Sequence, residues 1–256
     1  MAQINLNADL GEGYGRYAVG NDEGIMKVVK SANIACGFHA GDPTQMTKAV
    51  RIAKENGVSI GAHPGFNDLW GFGRRQIQME ASDLEYMITY QIGALQAIAR
   101  AAGQRVTHVK PHGALNNMAH FDRDYAMAIA RGIKAADREL IFVANACSEM
   151  VKAGQELGLQ VAHEAYVDRL YDDSGLMTSR REPGAVIHDP EAALRQVLSF
   201  VEEQAIVTRT GKRIKTPIHT FCTHGDEGTG VSLVATVRAE LEKRGIGVVS
   251  LPELCL

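Results

Sequence analysis

Apolar residues along this chain fall into two alternating rhythms. Short runs at Ile4–Ala8, Ala32–Cys36, Val58–Ala62, Val106–Lys110, Leu140–Ala144, Gln160–Ala165 and Ile218–Cys222 have the length and composition of buried strands. Between them, Asp22–Lys30, Pro43–Asn56, Ala81–Ala102, Asp122–Ala136, Cys147–Leu157, Pro190–Gln204 and Gly230–Arg244 show the wider spacing of amphipathic helices. Several carry start and stop signals. "DPTQ" puts Asp42 at a cap and Pro43 in the first turn, and "ENG" ends that helix at Gly57; "HDPEAAL" repeats the start at Asp189–Pro190. Strand and helix alternating about seven times predict a parallel sheet in an α/β fold. Periodicity alone fits a closed barrel and an open doubly wound sheet equally.

Two segments break the rhythm. Tyr166–Gly184, with "DRLYDDSGLMTSRREPG", is a long charged loop of the kind that often carries function. "IVTRTGKRIKT", Ile206–Thr216, predicts a surface hairpin turning at Gly211. With no flexible linker and no internal repeat, residues 1–256 are expected to form one domain.

Composition narrows the classes. The chain has 256 residues, 45% of them apolar, which suffices for a full-sized core. Its formal charge of −3 and the lack of a basic tract argue against nucleic acid or a membrane surface as partner. Four scattered cysteines without a CxxC pair argue against a disulfide framework or structural zinc and point to a reducing cytoplasm. No secretory leader or membrane-spanning segment is expected.

The candidate chemistry lies in where the polar residues fall. Successive strands run into Asp9, into His39 and Asp42, into His63, into Lys110 and His112, into Glu164 followed by Asp168 and Arg169, and into His224 and Asp226. The carboxyl ends of parallel strands gather at one edge of an α/β fold, so these residues are expected to converge there. Alternation places Asn5, Asn7 and Asp9 on one face of the first strand, and His108, Lys110 and His112 on one face of the fourth. A polar interior near the rim predicts a wet, ligand-binding pocket. Asp42 also suits a helix cap. Cys36 and Cys222 read as buried inert thiols, and Glu12, Asp172 and Asp173 as solvated charges. The nucleotide-loop, GxSxG and HExxH motifs are missing.

The segments "LNADLGEGYG", "NIACGFHAGDP", "GAHPGFNDLWGFGRR", "VKPHGALNN", "EAYVDRLYDDSGLMTSRREPGAVI" and "THGD" together resemble the LamB/YcsF family, in order and over nearly the whole chain. The resemblance implies a seven-stranded parallel β/α barrel, TIM-like and similar to that of polysaccharide deacetylases. It implies the ATP-dependent opening of 5-oxoproline to glutamate, carried out with two further subunits, B and C. ATP is then expected on the partner subunits, since this chain has no nucleotide motif.

On that basis Asp9 or Glu164 is expected as general base. His63 and His112 position water or stabilise developing charge, and Lys110 stabilises the same charge. Arg169 or Arg180 is expected to hold the substrate carboxylate, with His39, Asp42, Asp168, His224 and Asp226 completing the binding set. Two other functions fit the same residues. One is a metal-dependent carbohydrate deacetylase, with Asp9, His63 and His112 on a divalent ion. The other is a non-catalytic subunit that presents the substrate.

Overall fold

The computed structural model describes residues 3–223 and 230–256. Its strands are β1 (Gln3–Leu10), β2 (Ser31–Ala35), β3 (Ser59–His63), β4 (Val106–Val109), β5 (Ile141–Asn145), β6 (Val161–Tyr166), β7 (Ala205–Val207), β8 (Arg213–Lys215), β9 (Thr220–Thr223) and β10 (Gly247–Val248). Seven of them, β1-β2-β3-β4-β5-β6-β9, pair in parallel in that order, and β9 pairs back onto β1. The ring closes in register Asn7↔Ser31 on one side of β1 and Asn7↔Cys222 on the other. This is the seven-stranded barrel that the family resemblance implies.

The helices α1 (Asp22–Ile25), α2 (Pro43–Asn56), α3 (Ala81–Ala101), α4 (Gly113–Phe121), α5 (Arg123–Ala136), α6 (Glu149–Glu156), α7 (Pro190–Glu203) and α8 (Gly230–Lys243) connect the strands. They cover the barrel, and the main apolar core lies between them and its outer face. Ile4, Leu6, Ala8 and Leu10 point outward from β1 and are buried with Met46, Val50 and Ala53 of α2. Each of the larger side chains among them contributes about 1.5–3 kcal/mol on leaving water. Asp42 accepts from the Thr44 and Gln45 N–H groups and Gly57 closes the same helix in a left-handed conformation, as the sequence predicts.

The inner face of β1 is polar to the bottom of the barrel. Asn5 donates to Ser31 Oγ at 2.9 Å and accepts from Thr220; Asn7 donates to Thr220 Oγ1 at 2.7 Å; Asn33 donates to Asn7 Oδ1 at 2.7 Å. His108 lies beside this network, its Nε2 3.2 Å from Asn33 Oδ1. Gly61 is required opposite it, because a Cβ there would lie 2.1 Å from the imidazole. Among the described residues, a small apolar cluster, Ile141, Val143, Ala162 and Leu251, packs apart from the main core. The interior is therefore a closed hydrogen-bonded layer beneath the rim, where the sequence suggests a wet pocket only near the mouth. Full pairing makes such burial tolerable.

Four elements differ from the sequence expectation. The segment after His112, where the sequence pattern predicts no element, forms α4; it buries Ala114, Leu115 and Ala119, but its two asparagines blur the helical period. The helix expected to reach Lys30 stops after one turn at Ile25. The strand β10 and a single turn at Leu251–Glu253 are too short to show a period. The hairpin β7–β8 forms as predicted, with Gly211 at φ +87°. Among the described residues, no helix is long and apolar enough to cross a membrane.

Candidate active site

A cavity of about 590 Å³ opens at the carboxyl ends of the strands, lined by Asp9, Glu12, His63, Lys110, His112, Tyr166, Arg169 and Arg180 among others. At its floor Lys110, only 2% exposed, donates to Asp9 Oδ1 at 2.9 Å and lies 3.2 Å from Glu164 Oε1. Burial by itself would lower the lysine pKa, but the neighbouring acidic groups, Asp9 foremost and Glu164 with it, outweigh it and raise the pKa well above its usual range. Burial pushes the Glu164 carboxyl up, reinforced by Asp9 and opposed by Lys110 and Asn7. One cation thus holds two carboxylates together beneath the cavity.

Histidines form the adjoining wall. His63 Nδ1 lies 2.7 Å from the Lys110 carbonyl and His112 Nε2 lies 2.8 Å from the Phe72 carbonyl. A carbonyl only accepts, so the nitrogen facing it carries the proton. The other nitrogens, His63 Nε2 and His112 Nδ1, are 3.0 Å apart, and His63 Nε2 is 3.3 Å from Asp9 Oδ2. His39 stacks on His112 with ring centroids 3.7 Å apart. Burial, followed by the neighbouring histidines, holds His39 and His112 well below the ordinary histidine range.

The loop behind these rings is backbone-strained. Phe72 has φ +54° and Gly73 φ +62°. A non-glycine residue there costs free energy and persists where its surroundings enforce it. Here the strain aims the Phe72 carbonyl at His112 and sets the Phe72 ring edge-on to His39 and His112. Asp68 anchors the loop by accepting from Arg75 Nε at 2.9 Å and from the Gly71 N–H at 3.0 Å.

The predicted residues divide by position. Asp9, His63, Lys110, His112, Arg169 and Arg180 line the cavity. Glu164 is one layer deeper, bound to Asn7 and Lys110, and His39 sits behind His112. Asp42 is away from the cavity, occupied with the α2 cap and the Gly15 N–H. Asp168 also lies off the cavity lining. Arg169 is buried with Nε unpartnered among the described residues, whereas Arg180 is exposed at the mouth. His224 and Asp226 lie outside the described residues. Cys222 is buried and its thiol is pushed well above its usual range, and burial pushes Cys36 up to about 12, so both stay protonated.

Glu12 is a correction. The sequence suggests a solvated charge, but its Oε1 lies 3.8 Å from both His39 Nε2 and His112 Nδ1 on a part-buried side chain. Its place three residues past Asp9 in a glycine loop is the only hint in the sequence. Phe72 and Tyr166 are not legible there at all, because a backbone carbonyl and a packed ring carry no motif.

The family model of the LamB/YcsF family matches residues 4–255. The chain belongs to the LamB/YcsF family. Among LamB/YcsF relatives, the 5-oxoprolinase A subunit of Rhodopseudomonas palustris (strain BisB5) is 53% identical, covering 96% of this chain and 98% of its own length. A 5-oxoprolinase A subunit of Bradyrhizobium diazoefficiens is 51% identical over 97% of each. A solved structure, the lactam utilization protein of Thermus thermophilus, superposes with a TM-score of 0.91 at 41% identity, over 97% of this chain and all of that one.

This LamB/YcsF barrel thus brings a partly open carboxylate, a buried ammonium and two imidazole lone pairs to one cavity, with a buried guanidinium on the wall. Such a set can take a proton from water, hold a negative oxygen and grip a carboxylate.

Proposed function

We propose that this chain is the A subunit of an ATP-dependent 5-oxoprolinase, a hydrolase that opens the lactam of 5-oxo-L-proline to L-glutamate together with subunits B and C in the cytoplasm. The observation that carries this reading is the Asp9–Lys110–Glu164 cluster at the floor of a cavity walled by His63, His112 and Arg169. The names of the relatives at about half identity, and of the Thermus structure, support the same substrate class.

Lactam opening is an uphill problem for a simple hydrolase. The freed amine stays beside the new carboxyl group, and intramolecular re-attack has an effective molarity of roughly 10⁵ M or more in favourable geometry. ATP overcomes this by activating the amide oxygen as a phosphate. The chain carries no nucleotide motif, which supports ATP binding on the partner subunits.

Within this chain Asp9 is the better general base. It lines the cavity, while Glu164 is spent on Asn7 and Lys110. The inward nitrogens of His63 and His112 present lone pairs, so in neutral form they accept from and orient a water and do not donate to an oxyanion. Lys110 supplies the positive charge toward which negative charge develops. Arg169, a buried guanidinium on the cavity wall, holds the substrate carboxylate. Co-expression with candidate B and C subunits should release glutamate from 5-oxoproline only with ATP. Release no greater than that of the separate polypeptides would overturn the proposal.

A further inference from the structure

α3, at 21 residues the longest of the described helices, carries an outward face that the fold does not use. Its inner side buries Leu84, Met87, Ile88, Ile92 and Leu95 in the core. On the other side Asp83, Tyr86, Tyr90, Gly93, Ala97 and Arg100 are all exposed. They follow one another at steps of three and four, the spacing of a seam along which two helices pack. Tyr86 and Tyr90 are 69% and 64% exposed, and Phe38 braces Tyr90 with ring centroids 5.5 Å apart. Between Glu85 and Arg100 the helix has no charged residue.

Gly93 points the same way. Glycine in a helix interior is destabilising relative to alanine, and close packing usually explains its presence. In α5 and α6 it does: a Cβ at Gly132 would lie 2.8 Å from the Glu85 carbonyl oxygen, and one at Gly154 would lie 2.6 Å from Val161. A Cβ at Gly93 would meet nothing within 4 Å. The chain itself therefore gives Gly93 no reason to lack a side chain, and the reason must come from outside.

We propose that α3 is the interface through which two copies of this chain pair, their α3 helices running antiparallel across a two-fold axis at the level of Gln91 and Ile92. In that register the face is complementary to itself, as a two-fold contact requires. Tyr90 meets Gly93 of the second copy, Tyr86 meets Ala97 and Asp83 meets Arg100, and each pairing occurs twice. The bulky residues occupy the first half of the seam and the small ones the second, so a ring of one copy fills the gap left by the other. Gly93 also lets the helices approach toward the lower end of the usual separation of about 8–10 Å. The two ends carry opposite charge, with Asp83 in the first turn and Arg100 in the last, and among the described residues neither has an ion-pair partner. Parallel pairing would instead set like charges together and tyrosine on tyrosine. A partner of unrelated sequence would not need the face to match itself. None of the six residues lines the cavity, so the inference stands apart from lactam opening.

Sedimentation velocity on the full chain alone should show a monomer–dimer equilibrium with a Kd in the micromolar range, since a single helix pair lies at the small end of specific interfaces. Gly93→Gln should weaken pairing by at least about 10-fold, because it fills the gap that Tyr90 of the second copy occupies. The urea midpoint of the dilute variant should be unchanged or higher, because the position is open and glutamine is the better helix former. Asp83→Arg and Arg100→Asp should each weaken pairing about 2- to 30-fold, and combining them should restore it, because every symmetric contact regains opposite charges. Arg195→Asp, on α7, should leave the equilibrium unchanged. A single species at the chain mass across that range, a dimer indifferent to Gly93→Gln, or a charge-exchanged double variant as weak as the single ones would overturn the proposal. So would a chain that stays monomeric alone and buries Tyr86 and Tyr90 only when subunits B and C are added, which would assign the face to them.

Discussion

Lys110 and Asp9, 101 residues apart in the chain, meet at 2.9 Å at the floor of the cavity, and the same ammonium reaches Glu164, one layer deeper, at 3.2 Å. Three ionisable groups share a space from which water is largely excluded. Taking charges out of water costs several kcal/mol per ion, and mutual attraction offsets that only where every partner is kept. The cluster therefore acts as a unit.

Removing the cation should be costly. Lys110→Met leaves Asp9 and Glu164 without their shared partner and is expected to destabilise the chain by about 3–5 kcal/mol in urea unfolding. Adding Glu164→Gln to that variant should recover part of the loss, because one stranded charge goes with it. A double variant no more stable than the single one would show that the carboxylates do not depend on Lys110.

Turnover should respond to the groups that touch the cavity. In the reconstituted complex, Asp9→Ala is expected to reduce kcat by about 10²–10⁴, the scale of lost general-base catalysis. His63→Ala and His112→Ala should also lower it. Near-normal turnover in all three would dismiss the assigned roles.

Substrate affinity should depend on Arg169 more than on Arg180. Arg169→Lys keeps the charge but loses the planar fork. Loss of a charged hydrogen bond worth about 1.5–3 kcal/mol predicts a rise in KM for 5-oxoproline of about 10- to 150-fold. A greater rise with Arg180→Lys would move the carboxylate to the mouth of the cavity.

Acid stability should report on the loop behind His112. The Arg75 guanidinium, with the Gly71 N–H, holds the Asp68 carboxyl down to about 2 against the effect of burial, from an ordinary value of 3.8. A depressed carboxyl stabilises the fold fully above 3.8 and loses that contribution as pH falls toward about 2. Thermal melts should therefore show Asp68→Asn less stable than the unaltered chain near neutrality, with the gap narrowing between those two values. A gap that stays constant with pH would mean the ion pair contributes nothing.

Much of the architecture can be read from local signals. Asp42–Pro43 and Gly57 bracket α2 because a cap and a left-handed stop are local geometry. The alternation of Asn5, Asn7 and Asp9 shows that one face of β1 is polar, because strand side chains point alternately to the two sides. The same logic directs Asp9, His63, Lys110 and His112 toward one rim. It does not extend to α4, where Asn116 and Asn117 obscure the period, or to Asp42, where cap and ligand require the same residue.

By itself the sequence determined that strands and helices alternate, that the strand ends are acidic and imidazole-rich, and that the chain resembles the LamB/YcsF family, since propensity, period and motif all act over a few neighbouring residues. Only the tertiary structure decided that the sheet closes β9 onto β1, that Glu12 turns inward to His39 and His112, that Glu164 lies below the cavity and not in it, and that two backbone carbonyls set the tautomers of His63 and His112. Those outcomes depend on groups tens to hundreds of residues apart meeting at hydrogen-bond distance, and no local pattern in a chain encodes such a meeting.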